Sequence, residues 1–141
     1  MPRGRSSVPD AADVVVDASV IVDLVADTPS APAVAELLAG RGLFAPAHVD
    51  AEVLSALGRM ERAGLLTARH ASRALAMGAR TPIERSSLPE ILDGAWRRRK
   101  NLRLSDALYV ELAEQLGLEL VTTDRRLAST YSGALFVDVR Q

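Results

Sequence analysis

The sequence predicts a single α/β domain in which a mainly parallel central sheet is flanked by helices. Short apolar runs rich in β-branched residues alternate with segments whose apolar residues recur at helical spacing. Such alternation is typical of a parallel sheet, because a helix usually carries the chain from one parallel strand to the next. The chain has 141 residues, of which 48% are hydrophobic and 25% charged, as in an ordinary soluble domain.

The predicted strands are short apolar runs, and the first of them ends at a carboxylate. Residues 14–17 are typical of a buried central strand, because three valines precede Asp17 without a polar interruption. The five predicted strands are residues 14–17, 43–45, 83–86, 119–122 and 134–138.

The predicted helices carry their apolar residues on one face and have recognisable ends. Thr67 and Ser105 are good N-cap residues, and Gly64 and Gly117 follow two of the expected helix ends. The five predicted helices are residues 28–38, 48–63, 67–77, 89–100 and 105–116.

The first residues of the chain differ in composition from the rest. Residues 1–12 are rich in Pro, Ser and Gly, so we expect a flexible extension there and a folded domain over residues 13–141. The basic start lacks the apolar core of a signal peptide, and the most apolar run, residues 14–26, is too short to cross a membrane. Because neither segment is typical of export or of a membrane span, a cytoplasmic location is expected, and the lack of cysteine suits such a reducing compartment.

Two acidic residues follow predicted strands, where an unpaired charge is costly. Asp17 ends the first strand, and Asp124 comes just after the strand over residues 119–122. Because the carboxyl ends of parallel strands form the ligand-binding crevice of an open sheet, both side chains are expected to face one crevice if the strands are neighbours.

Two further acids lie on the apolar faces of predicted helices. Glu52 shares a stripe with Ala56 and Met60, and Asp106 shares a face with Val110. Converging carboxylates repel one another, and hard cations such as Mg²⁺ or Mn²⁺ relieve that repulsion through oxygen ligands.

Each acid also has an ordinary structural explanation. Asp17 could cap a turn, and Asp106 could be a first-turn acid near the positive end of the helix dipole. Glu52 could pair with Arg59 or Arg62, and Asp124 with Arg125 or Arg126. Neither histidine, His48 nor His70, has a partner at metal-ligand spacing, and both are interpreted as structural.

Four segments resemble, in order, the motifs of PIN-domain ribonucleases. Their acids fall at Asp17, Glu52, Asp106 and Asp124, and hydroxyl residues accompany two of them, Ser19 and Thr122. The four segments are residues 14–23, 48–57, 102–109 and 120–127. The resemblance covers nearly all of the chain after the extension and implies a PIN-like three-layer sandwich. Among PIN-domain proteins, the chain most resembles VapC-like toxins of type II toxin–antitoxin systems.

The resemblance implies an endoribonuclease that uses Mg²⁺ or Mn²⁺ to activate water, leaving 5′-phosphate and 3′-hydroxyl ends. Asp17 and Asp106 would be direct metal ligands, and Glu52 and Asp124 would act partly through water. Ser19 and Thr122 would orient the carboxylates or the phosphate. The implied partners are an RNA substrate, a VapB-like antitoxin and a second copy of the chain, with no membrane.

The net charge of the chain is -1, so positive charge for RNA binding would have to come from local clusters of basic residues. Arg125 and Arg126 are candidate RNA-binding residues because they adjoin a proposed ligand, and the basic run 97–100 with Arg103 is a second candidate. A solvated helix end is the alternative explanation for the run.

Other functions fit the acids less well. The segment from Asp17 to Ser19 lacks the second aspartate of haloacid-dehalogenase phosphatases. A receiver domain would need an early acidic pair, which the strand before Asp17 does not provide. The segment from Gly40 to Gly42 is not a phosphate loop. A non-catalytic PIN-like scaffold that binds RNA or protein remains the alternative; loss of an acid would favour it, and all four are present.

Overall fold

The computed structural model describes residues 12–138, so most of the predicted N-terminal extension lies outside the described residues. Within this range five parallel strands form one sheet in the order β3-β2-β1-β4-β5, which confirms the predicted α/β class. The strands are β1 (Val14–Val16), β2 (Leu43–Pro46), β3 (Ile83–Ser86), β4 (Glu119–Thr122) and β5 (Ala134–Phe136).

Seven helices flank the sheet within the same described range. They are α1 (Ala18–Val25), α2 (Ala31–Leu38), α3 (Val49–Arg62), α4 (Ala68–Arg80), α5 (Pro89–Arg97), α6 (Leu104–Leu116) and α7 (Arg125–Thr130). None of the helices over residues 12–138 combines the length and apolar character needed to cross a membrane.

The core is built around the central strand β1, whose three valines are fully buried. Helix α6 packs across β1, β2 and β4, and α1 packs against α2, α3 and α4. Tyr109 and Val110 of α6 are also fully buried, so this helix is held firmly against the sheet. Helices α1 and α6 both begin beside the carboxyl ends of the central strands, so their packing fixes the positions of the side chains at that edge of the sheet.

Several boundaries differ from the prediction. Ser105 is not the N-cap of α6: the N-cap is Arg103, two residues earlier, and the helix begins at Leu104. The last strand stops at Phe136 rather than at residue 138. Helices α1 and α7 were not predicted, because the β-branched Val20, Ile21 and Val22 obscure helical periodicity in α1 and because α7 has only six residues. By contrast, Thr67 caps α4 as predicted, accepting a hydrogen bond from the His70 amide.

Candidate active site

Two of the predicted acids lie at the carboxyl edge of the sheet. Asp17 follows β1 and caps α1, and Asp124 follows β4 and caps α7. Strands β1 and β4 are parallel neighbours, with Val16 opposite Val121. The two acids are therefore held at adjacent strand ends, where a parallel sheet places its ligand-binding crevice.

All four predicted acids line one open cleft of about 390 Å³. Asp17 and Asp124 enter it from the sheet edge, Glu52 from α3 and Asp106 from the first turn of α6. Among the other lining residues are Ser19, Asp23, Arg59, Arg103 and Arg126. The structure thus brings together the acids that the sequence singled out.

Asp17 is the most buried of the four, with 7% of its surface exposed. Its Oδ2 accepts hydrogen bonds from the hydroxyls of Thr122 at 2.7 Å and Ser19 at 3.2 Å, and its Oδ1 accepts one from the Ser19 amide at 3.3 Å. Burial raises the pKa of Asp17 above its ordinary value; the hydrogen bonds oppose this rise, and the nearby Asp106 and Glu52 add to it. A cation bound in the cleft would stabilise the charged form of this carboxylate.

The two hydroxyls next to Asp17 also order the loop that follows β4. The Thr122 hydroxyl accepts a hydrogen bond from the Asp124 amide at 2.9 Å while donating to Asp17. The Ser19 hydroxyl accepts one from the Thr123 amide at 3.2 Å. Because each hydroxyl joins the α1 side to the β4 side, Asp17 and Asp124 are held in fixed relation to each other.

Glu52 is held by a buried tyrosine rather than by an arginine. The Tyr109 hydroxyl donates a hydrogen bond of 2.6 Å to Glu52 Oε1, and His48 Nε2 lies 3.5 Å from the same oxygen. The His48 and Tyr109 rings are in contact, with centroids 4.8 Å apart. His48 is therefore a structural residue that supports the site, and the anticipated ion pairs of Glu52 with Arg59 or Arg62 do not form among the described residues.

An arginine joins the other two acids. The Arg126 guanidinium lies 2.8 Å from Asp106 Oδ2 and 3.3 Å from Asp124 Oδ2. The Asp124 carboxylate also accepts hydrogen bonds from the Arg126 and Leu127 amides at the start of α7. The alternative pairing of Asp124 with Arg126 is therefore present, together with a second contact to Asp106.

The atoms in the cleft that could ligate a metal suit a hard divalent cation, because they are carboxylate and hydroxyl oxygens. No three acidic or histidine side chains in residues 12–138 are arranged as ready metal ligands. The Arg126 guanidinium already lies between two of the carboxylates as a positive partner, and its side chain is 42% exposed. The oxygen atoms of the cleft fit a divalent ion in kind, and Arg126 would have to move away from Asp106 and Asp124 for an ion to contact them.

Four of the other predicted basic residues have partners outside the cleft. Arg125 lies 3.6 Å from Asp138 and stacks over Phe136. In the run 97–100, Arg97 pairs with Asp93, Arg98 pairs with Glu111, and Arg99 stacks over Trp96. Arg103 differs from that run because it lines the cleft.

Asp23 and Arg59 line the cleft but were not predicted as site residues. Asp23 lies four residues after Ser19 on α1, so the prediction of that helix would have placed both on one face. Arg59 lies seven residues after Glu52, on the same face of a helix that was predicted. The spacing was therefore available as a signal for Arg59.

Comparison with known families agrees with this geometry. Residues 14–132 match the PIN domain family. The match covers most of the chain and spans every element that contributes an acid to the cleft. The chain therefore belongs to the PIN-domain family.

Within that family the similar proteins are VapC ribonucleases. The chain is 56% identical over 122 residues to Ribonuclease VapC3 of Mycobacterium tuberculosis, covering 86% of this chain and 89% of that protein. It is 35% identical to Ribonuclease VapC12 of the same organism, covering 84% and 92% of the two chains. The crystal structure of PAE2754 from Pyrobaculum aerophilum is also similar, with a TM-score of 0.66, 30% identity and coverage of 93% and 88%. These comparisons confirm the predicted resemblance to VapC-like PIN-domain ribonuclease toxins.

Proposed function

We propose that this protein is a metal-dependent endoribonuclease that acts as the toxin of a toxin–antitoxin pair. The observation that carries the proposal is the convergence of Asp17, Glu52, Asp106 and Asp124 on one open cleft. The similar proteins VapC3 and VapC12 are named ribonucleases, which supports RNA as the substrate. A VapB-like antitoxin, a homodimeric state and RNA contacts by Arg125 and Arg126 are predictions that accompany this proposal.

The four acids would hold one or two Mg²⁺ or Mn²⁺ ions, with Asp17 and Asp106 as direct ligands. When bound, such an ion supplies positive charge to a phosphate oxygen and lowers the pKa of a coordinated water. Thr122 and Ser19 hold Asp17 in one orientation, and Tyr109 holds Glu52 by its Oε1. The Oε2 atom of Glu52 makes no hydrogen bond to any described residue, so it is the oxygen that is available for the ion or its water.

The test is cleavage of a mixed-sequence fluorogenic RNA by the purified chain without antitoxin. We expect cleavage with Mn²⁺ or Mg²⁺, none with EDTA, and none from an Asp17→Asn variant whose folding is verified by circular dichroism. In the proposed step water adds OH to phosphorus, the P–O3′ bond breaks and the leaving 3′ oxygen takes up a proton, so the new ends should be 5′-phosphate and 3′-hydroxyl.

Two results would contradict the proposal. Cleavage that persists in EDTA or in the Asp17→Asn variant would place the activity elsewhere. Absence of cleavage, together with absence of any Mn²⁺-induced rise in thermal stability, would show that the acids bind no cation. The non-catalytic PIN-like scaffold would then be the better description.

A further inference from the structure

Two arginines line the cleft with side chains that have no hydrogen-bond or ion-pair partner among residues 12–138. They are Arg59 on α3 and Arg103, the N-cap residue of α6, and both are exposed. Arg126, the third arginine of the cleft, is instead engaged by Asp106 and Asp124. An arginine that lines an acidic cleft yet pairs with none of its carboxylates is available to bind an anion from solution.

Each of these arginines stands near one of the proposed metal ligands. Arg59 lies two helical turns after Glu52, with the small Ala56 on the same face between them. Arg103 lies three residues before Asp106, at the point where the chain enters α6. The two cations therefore reach the acidic centre from separate elements of the fold, α3 and the start of α6.

The charge balance of the cleft makes such cations necessary for a polyanionic substrate. Asp17, Asp23, Glu52, Asp106 and Asp124 contribute five carboxylates, and Arg59, Arg103 and Arg126 contribute three guanidiniums. Since the Arg126 guanidinium is shared between two acids, the unpaired positive charge in the cleft comes from Arg59 and Arg103. Without it, an approaching phosphate backbone would meet repulsion from every carboxylate that a metal ion does not neutralise.

We propose that Arg59 and Arg103 bind phosphates of the RNA strand next to the phosphate that is cleaved, and so seat the strand in the cleft. The proposal rests on the proposed nuclease function and names the side chains that hold its substrate. A guanidinium donates two parallel hydrogen bonds to a phosphate, which suits it to fix a strand in register. The basic run 97–100 is a weaker candidate, because Arg97, Arg98 and Arg99 already have partners on the protein.

The test measures binding of a short, fluorescein-labelled single-stranded RNA by anisotropy in the Asp17→Asn background, where cleavage is blocked. The compared proteins carry Arg59→Gln with Arg103→Gln, the charge-retaining Arg59→Lys with Arg103→Lys, or the control Arg73→Gln. Arg73 is exposed on α4, has no ion pair among the described residues and does not line the cleft. Circular dichroism and thermal melts establish that every variant is folded.

We expect the Arg59→Gln, Arg103→Gln protein to have a Kd for the RNA at least about tenfold higher at moderate salt. The slope of log Kd against log salt concentration should fall by about 0.7 for each phosphate that is no longer bound. The lysine pair should restore the slope, and Arg73→Gln should change neither quantity. In otherwise wild-type protein the glutamine pair should raise KM while kcat stays within about threefold, as expected for residues that bind ground state and transition state alike.

An affinity within twofold of the Arg73→Gln control together with an unchanged salt slope would overturn this assignment, as would failure of the Asp17→Asn protein to bind the RNA. Cleavage by the wild-type chain from the same preparation decides the enzymatic proposal separately. A chain that cuts RNA but is unaffected by the glutamine pair keeps its nuclease function, and only the role of these two residues in phosphate binding is withdrawn.

Discussion

The Arg126 guanidinium lies 2.8 Å from the Asp106 carboxylate, one of the two acids proposed as direct metal ligands. The same nitrogen is 3.3 Å from Asp124, so one cation is shared by two of the four acids. Carboxylates that share a site repel each other unless a positive charge lies between them. Arg126 supplies that charge, and a divalent ion would have to compete with it.

Replacing Arg126 with glutamine should therefore strengthen metal binding. We expect the Kd for Mn²⁺, measured by isothermal titration calorimetry, to fall by up to about fivefold, the range found for exposed ion pairs. In EDTA the same variant should melt at a slightly lower temperature, because Asp106 and Asp124 then lack a cation.

The matched control for that experiment is Arg125→Gln. Arg125 is the adjacent residue but lies beside Asp138 and does not line the cleft. Its replacement should leave Mn²⁺ affinity unchanged. Equal or weaker Mn²⁺ binding by the Arg126→Gln variant would show that Arg126 does not compete for the metal position.

A Tyr109→Phe substitution should release Glu52. Phenylalanine keeps the ring against His48 but removes the hydroxyl that donates a hydrogen bond of 2.6 Å to Glu52 Oε1. We expect a decrease of roughly 1–3 kcal/mol in the free energy of unfolding, measured with urea, because the missing hydrogen bond has a charged acceptor. Mn²⁺ affinity should fall as well, since Glu52 would no longer be held in one orientation.

The chain provides its own control for this change in its other tyrosine. The Tyr131 hydroxyl is 3.4 Å from Glu114, on the exposed side of α6. Tyr131→Phe should leave both urea stability and Mn²⁺ affinity near wild-type values. A Tyr109→Phe protein that matches it in both measurements would exclude a positioning role for the hydroxyl.

Thr122 should matter through its hydroxyl rather than through its volume. It is fully buried, donates to Asp17 at 2.7 Å and accepts from the Asp124 amide at 2.9 Å. Thr122→Val keeps the shape but removes both hydrogen bonds, so we expect a cost of roughly 1–3 kcal/mol in urea unfolding and weaker Mn²⁺ binding. Thr122→Ser keeps the hydroxyl, and its cost should be limited to about 1 kcal/mol for the missing methyl group. Equal Mn²⁺ affinities for the two variants would contradict the role of the hydroxyl.

The positions of the acids could be predicted because they follow from local pattern. Alternating strands and helices predict a parallel sheet, and a carboxylate directly after a buried strand then falls at the ligand-binding edge, as Asp17 and Asp124 do. Glu52 and Asp106 could be found from helical periodicity in the same way. What each acid contacts was less accessible, because contact depends on how elements pack.

The hydrogen bond between Tyr109 and Glu52 shows the limit. These residues are 57 positions apart, and the bond exists only because α6 and α3 bring both side chains to the same cleft. Periodicity assigns Tyr109 to the buried face of α6 but does not reveal which polar group its hydroxyl meets. The contact of Arg126 with both Asp106 and Asp124 likewise depends on side-chain conformation, which a sequence pattern does not encode.

An Asp17→Asn substitution should make the metal-free protein more stable at neutral pH, while abolishing its proposed activity. Burial raises the pKa of Asp17 in the folded state, so the folded protein retains a proton that the unfolded chain releases. Stability contributed by this group is therefore fully present below the unfolded value of 3.8 and is lost as pH rises through the folded pKa. Asparagine resembles the protonated acid and avoids that loss.

The measurement is thermal melting of both proteins in EDTA from pH 4 to pH 8. The melting temperature of Asp17→Asn should exceed that of wild type by a few degrees at pH 7, and the difference should shrink toward pH 4. Asp93→Asn, at an acid whose side chain is 80% exposed, should show no such trend. Mn²⁺ should then reverse the order, because a cation stabilises the ionised Asp17 and gains nothing comparable from an amide. A difference that does not vary with pH would mean that burial of a charge at Asp17 carries no cost in the folded protein, and that the cleft does not need a cation to hold its acids together.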